Sequence, residues 1–225
     1  MTFSITARCP DTGQFGIAIS SSSIAVGARC PWLLPGVGAV STQNITLPSL
    51  GPEVLALMEQ GLAPAEALDK VLTRNGYSQY RQITAIDHLG QSAHFSGAQT
   101  LGKHNAVSGE HCVAAGNMLA DPSVISAMVT AFEHGEGQLA DRLLAALQAA
   151  IGAGGEAGPV RSAALVVVGE LTWPIINLRV DWADDNPIGA LEKLWNAYRP
   201  QVQDYIDRAL APDRSPGYGV AGDDR

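Results

Sequence analysis

Apolar and polar residues alternate from the start of the chain. In Thr2-Phe3-Ser4-Ile5-Thr6-Ala7 the apolar Phe3, Ile5 and Ala7 interleave with three hydroxyl-bearing residues. Period-2 alternation with β-branched residues predicts a half-buried strand. Cys9-Pro10-Asp11-Thr12-Gly13 supplies turn chemistry, and alternation resumes from Gln14 to Ser20, so the first two strands form a hairpin. Antiparallel pairing returns the second strand to where the first began, which brings Ser20 to Ser23 beside Thr2. A loop holding Pro31, Trp32 and Pro35 precedes a third strand at 37–43.

The period then changes. Val54, Leu55, Leu57, Met58 and Leu62 keep helical spacing after Pro52, and Ala67, Leu68, Val71 and Leu72 do so after Pro64, stopping at Asn75-Gly76. Strands return at 82–87 and 92–96, and an apolar segment at 112–115 leads into Gly116-Asn117. A second helix pair starts behind Asp121-Pro122 and ends in Gly152 to Gly155. Strands at 162–168 and 175–180 and one helix from about Pro187 to Leu210 complete the pattern. Hairpin-linked strands argue for antiparallel sheets, and each one-sided helix pair needs a sheet to cover. Two packed sheets with helices on both outer faces satisfy every apolar face: an α+β, four-layer αββα sandwich. Residues 1–211 read as one domain and 212–225 as a flexible tail.

Composition narrows the function classes. The 225 residues are 46% hydrophobic and 16% charged, a globular balance. A formal net charge of -8 and the lack of a basic stretch argue against a nucleic-acid partner. No apolar run is long enough to cross a bilayer, so no membrane partner is expected. Three scattered cysteines, Cys9, Cys30 and Cys112, fit free thiols in a reducing compartment, and no signal peptide is visible, so the expected location is cytoplasmic.

The candidate chemistry begins at Thr2. Excision of Met1 would leave a free α-amine on the residue that carries the hydroxyl, and an amine can take the proton from a weak oxygen nucleophile. The plain alternative is a chain that simply begins with a strand. His88, His94, His104 and His111 fit no metal-site spacing. Asp181, Asp184 and Asp185 suit the approach to a helix N-terminus better than a cation site. Gly36-x-Gly38 lacks the helix that a dinucleotide fingerprint needs. No metal and no cofactor are expected.

Several segments, in order, carry a family resemblance. They are Thr2-Phe3-Ser4-Ile5 with Ala7-Arg8, Gly16 to Ser21, Val26-Gly27-Ala28 with Pro31-Trp32, and Gly36 to Gln43. They continue with Arg81-Gln82-Ile83, Gly116-Asn117, Gly154-Gly155-Glu156, Ser162 to Leu165 and Leu178 to Asp181. The chain resembles domain of unknown function 1028, an uncharacterised bacterial family of the N-terminal-nucleophile (Ntn) hydrolase superfamily. The resemblance implies an Ntn-hydrolase-like sandwich and an amidohydrolase acting through Thr2 on a small amide or peptide-like substrate. Proteasome-type relatives use a lysine near the nucleophile, but Lys70, Lys103 and Lys193 all lie off the first three strands, which leaves the α-amine as base.

Asn44 and Asn117, amides at strand ends, are candidate oxyanion donors; each also suits a turn or cap. Ser21 and Ser23 are candidates to orient the amine, and Glu156, standing where the family pattern has Asp, to bind a substrate amine. The competing class is a catalytically inactive Ntn fold that binds a ligand or assembles. Hydrolysis by an internal residue such as Ser23 is a third reading. The exposed faces of such sandwiches often pair, which leaves a homo-oligomer open.

Overall fold

The hydroxyls that alternate along the first strand do not face water. In the computed structural model, which describes residues 2–223, β1 (Thr2–Arg8) and β2 (Phe15–Ser21) are buried on both faces along nearly their whole length. They pair antiparallel with Phe3 opposite Ser20 and Ala7 opposite Gly16. One face carries Phe3 and Ile5 into an apolar core; the other presents Thr2, Ser4 and Thr6 to a second sheet. The expectation of a half-buried strand fails because those hydroxyls find partners there: Ser4 Oγ donates to Gln43 Oε1 at 2.8 Å, and the Thr6 and Thr84 hydroxyls lie 2.9 Å apart.

The remaining strands are β3 (Pro31–Leu34), β4 (Gly38–Asn44), β5 (Arg81–Asp87), β6 (Ser92–Ser96), β7 (Asn105–Gly109), β8 (Cys112–Asn117), β9 (Ser162–Val168) and β10 (Ile176–Val180). They form a six-stranded sheet in the order β10-β9-β2-β1-β8-β7 and a four-stranded sheet β3-β4-β5-β6, with antiparallel pairing throughout. Helices α1 (Leu50–Glu59) and α2 (Pro64–Arg74) cover the small sheet, burying Val54, Leu55, Leu68 and Val71 against Val40 and Ile83. Helices α3 (Ser123–Glu133) and α4 (Leu139–Gly152) cover the large one, with Met128, Phe132, Leu143 and Leu147 against Phe3, Ile5 and Leu165. The molecule is the four-layer αββα sandwich expected from its pattern. Among the described residues no helix is long and apolar enough to cross a membrane, and the three cysteines are free thiols.

Three elements differ from expectation. Pro31–Leu34 is an edge strand, not a loop, with Trp32 opposite Val40; proline is tolerated at the first position of an edge strand because no ladder donor is needed there. β7 is a further strand at one edge of the six-stranded sheet, with too few apolar residues to show a period. The last helix breaks into α5 (Pro187–Tyr198), a single 3-10 turn at Arg199–Gln201 and α6 (Val202–Leu210), since Pro200 has no N–H to continue the ladder. Beyond α6 the chain folds back: Arg208 donates to the carbonyls of Pro216 (2.9 Å) and Gly217 (2.7 Å) and lies over the Tyr218 ring.

The layer between the sheets is graded. At one end Phe15, Ile17, Ala39, Ile86 and Val168 make an apolar plug. Toward the start of β1 the same layer turns polar, through Ser4, Gln43, Gln82 and Asn117, all buried. That gradient gives the two ends of the sandwich different chemistry, and Thr2 lies at the polar end.

Candidate active site

Thr2 is held in the middle of the large sheet, between Ser21 of β2 and Asn117 of β8. Asn117 is its register partner, and the hydroxyls of Thr2 and Ser21 stand 3.2 Å apart. The Thr2 residue is only 6% exposed. Ser21 Oγ in turn lies 2.8 Å from Ser23 Oγ and accepts from Ser23 N–H at 3.1 Å. Met1, whose removal the sequence reading requires, lies outside the described residues.

The turn that carries Ser23 is clamped. Ser162 Oγ donates to Ser23 O at 2.6 Å and accepts from Val26 N at 3.2 Å, and Ala25 N donates to Asp181 O at 2.9 Å. Ala25 itself adopts a left-handed conformation, φ 53°. Gly27 follows because a Cβ there would meet Ala164 Cβ at 2.4 Å. Arg29 closes the turn from outside: its Nη1 donates to Ile24 O (2.6 Å) and Ala25 O (3.0 Å), and its Nη2 to Ser23 Oγ (2.8 Å).

Glu156 approaches the same cluster from the loop after α4. Its Oε2 accepts from Ser22 N at 3.2 Å, and its backbone bridges Leu119, two residues past Asn117. Oε1 is buried and has no hydrogen-bond partner among the described residues. Burial, which penalises the charged form, pushes the carboxyl up to about 7. The outer side of this loop lines a cleft of about 230 Å3 with Ile151, Pro159, Val160 and Asp185.

Asn117 points into the layer between the sheets. Its Nδ2 donates to Gln82 Oε1 at 3.0 Å, leaving one amide hydrogen, while its Oδ1 is buried without a partner among the described residues. Asn44 is placed differently. At φ 71° it ends β4, donating to Tyr80 O (2.6 Å) and accepting from Leu101 N (3.2 Å). Both ends of its amide tie loops together, and it is its neighbour Gln43 that reaches Ser4 and Gln82.

Two glutamines and an arginine near Thr2 escaped the sequence reading. Gln43 and Gln82 face the layer between the sheets from β4 and β5, on the same phase as Ser41 and Thr84, so alternation marked them only as part of a polar face. Gln82 is fully buried; its Oε1 takes Gln43 Nε2 (2.9 Å) and Asn117 Nδ2, and its Nε2 donates to Gly116 O and Ser96 Oγ, both at 3.0 Å. Gln82→Leu therefore strands two buried donors and is expected to cost about 2 kcal/mol, read as a lower urea midpoint. Arg29 gave no signal, since nothing local to its loop predicts where its guanidinium reaches.

The Cys112 thiol is pushed up to about 12 by burial and by Glu133, and burial also raises Cys30; neither is a ready thiolate. Lys103 spends its ammonium on Ala120 O at 2.9 Å, and Lys70 and Lys193 lie exposed on α2 and α5. Among the described residues no three His, Cys, Asp or Glu side chains group to hold a metal ion.

Comparison with known proteins finds chains similar to this one. The crystal structure of protein SPO2555 from Silicibacter pomeroyi, attributed to DUF1028, is similar at 37% identity and TM-score 0.84, over 92% of this chain and 93% of that one. Looser similarity extends to Anbu, the ancestral beta-subunit, from Yersinia bercovieri (9% identity, TM-score 0.41, 97% of this chain and all of that one). An Anbu mutant from Hyphomicrobium sp. strain MC1 stands at a similar distance (12%, 0.41, 92% and 100%). No curated protein sequence matches. The description "Family of unknown function (DUF1028)" fits residues 2–191, and the chain belongs to that family.

Proposed function

We propose that the protein is an amidohydrolase in which Thr2, freed of Met1, is the nucleophile toward a small amide or peptide-like substrate. One observation carries the reading: the Thr2 hydroxyl starts a central strand with a hydroxyl chain on one side and an amide on the other. The α-amine, with an unperturbed pKa of ~7.7–8.0, suits a base at neutral pH. As the Oγ–C bond forms, the Oγ proton passes to the amine and the substrate carbonyl becomes an oxyanion. Asn117, whose second amide hydrogen has no partner among the described residues, is the nearer candidate donor to it; Asn44 is the more distant one. When the C–N bond breaks, the amine returns the proton to the leaving nitrogen. Water then cleaves the ester on Thr2, releasing a carboxylic acid. Ser21 and Ser23 orient the Thr2 end of the strand, and Glu156 offers a carboxylate to a substrate amine.

The alternative is an Ntn fold that binds a ligand or assembles without turnover. Intact-mass measurement on protein purified untagged from its native host separates the two. Loss of one methionine mass, together with an acyl adduct released by hydroxylamine, is the expected result. Full mass and no adduct would leave the binding reading.

A further inference from the structure

Among the described residues, Arg29 is the cation whose side chain hydrogen-bonds to the hydroxyl chain, and no carboxylate forms an ion pair with it. Its two halves do different things. Nη1 is spent on the carbonyls of Ile24 and Ala25, which is enough to close the turn. Nη2 leaves the backbone and donates to Ser23 Oγ at 2.8 Å. From there the spacings run 2.8 Å to Ser21 Oγ and 3.2 Å to Thr2 Oγ1.

We propose that Arg29 is a positioning residue that polarises this relay toward Thr2 and favours negative charge on Thr2 Oγ as its proton leaves. The proposal rests on the reading of Thr2 as nucleophile. A guanidinium can only donate, so Ser23 Oγ accepts from it and turns its own proton to Ser21. Ser21 Oγ already accepts from Ser23 N–H, and accepting from Ser23 Oγ as well it presents its own proton to Thr2 Oγ1. Each link is thereby charge-assisted in the same sense. The relay stabilises the alkoxide character that attack requires, while the α-amine takes the proton. A loop clamp alone would need only Nη1.

The test uses protein with Met1 removed and follows acylation of Thr2 by p-nitrophenyl acetate, from nitrophenolate release and the mass of the adduct. Arg29→Gln keeps a donor but loses the charge, and is expected to slow acylation roughly 10- to 100-fold, the span of a charge-assisted hydrogen bond. Arg29→Lys recovers most of the rate. Ser21→Ala is slowed to a similar degree, and Ser21→Ala with Arg29→Gln is no slower than Ser21→Ala alone, because the two act through one path. Thermal unfolding confirms that each variant is folded. A purely structural clamp would leave Lys and Gln variants alike. That result, a wild-type rate in Arg29→Gln, or multiplying losses in the double variant overturns the relay while leaving Thr2 as nucleophile. A wild-type protein that never acylates at Thr2 removes the nucleophile and the relay together.

Discussion

Thr2→Ala is expected to lose acylation by p-nitrophenyl acetate by about 10^3-fold or more, the scale on which removing a nucleophile acts. Thr2→Ser, which keeps the oxygen, should stay within about tenfold. Stability should hardly separate the three proteins. The alanine variant loses one methyl and one hydroxyl at the strand end, a cost of about 1 kcal/mol. A large kinetic loss beside a small stability loss is therefore the signature of chemistry, not of a damaged sheet. The adduct locates the nucleophile independently: peptide mapping should place the acetyl group on residue 2. If Thr2→Ala is acetylated as fast as wild type, the leading reading is wrong. An adduct on Ser23 would then point to the internal nucleophile, for which its exposed position and Arg29 contact supply a setting. No adduct in any of the proteins would favour a binding or assembly role.

The layers were legible because each apolar face had to be covered. The hairpin at 2–20 and both helix pairs follow from periodicity, and the αββα order follows from pairing those faces. What stayed hidden depends on contacts between distant segments. Thr2, Ser4 and Thr6 read as a solvated face because alternation reports polarity, not what lies opposite; Gln43 and Thr84 come from another sheet. Pro31–Leu34 hid as a loop because its prolines speak locally, while its strand character comes from β4 alongside. The same distinction runs through the site. Ser21 and Ser23 could be placed beside Thr2 by hairpin geometry, which is local. Asn117 was visible as a polar strand end, but its register opposite Thr2 was not. Arg29 carries its significance entirely in the direction of one nitrogen, and no pattern in the chain encodes that.

Glu156→Gln should make the protein more stable at pH 8, by about 3 kcal/mol relative to its effect near pH 4.5. The cause is burial without full compensation: one carboxylate oxygen holds the Ser22 amide and the other has no partner among the described residues. The carboxyl is raised from 4.5 to about 7 in the folded protein. Below pH 4.5 folded and unfolded chains both hold the proton, and the group contributes nothing. Between 4.5 and 7 the folded state keeps a proton that the unfolded state has lost, so stability falls as pH rises. Above 7 the fall is complete, and 2.5 pH units at 1.36 kcal/mol each give about 3 kcal/mol. Glutamine keeps an oxygen for Ser22 and cannot ionise, so the difference between the two proteins isolates this one group. Urea unfolding of both proteins from pH 4.5 to 8 measures it. A difference that stays constant with pH would mean that the carboxylate is already solvated or paired in the folded protein. A difference that grows through pH 5–7 would establish a stored electrostatic cost at Glu156, one that an incoming ammonium group on a substrate could relieve. Binding there would then favour the ionised carboxylate, and the same residue would couple ligand charge to the stability of the loop beside Thr2.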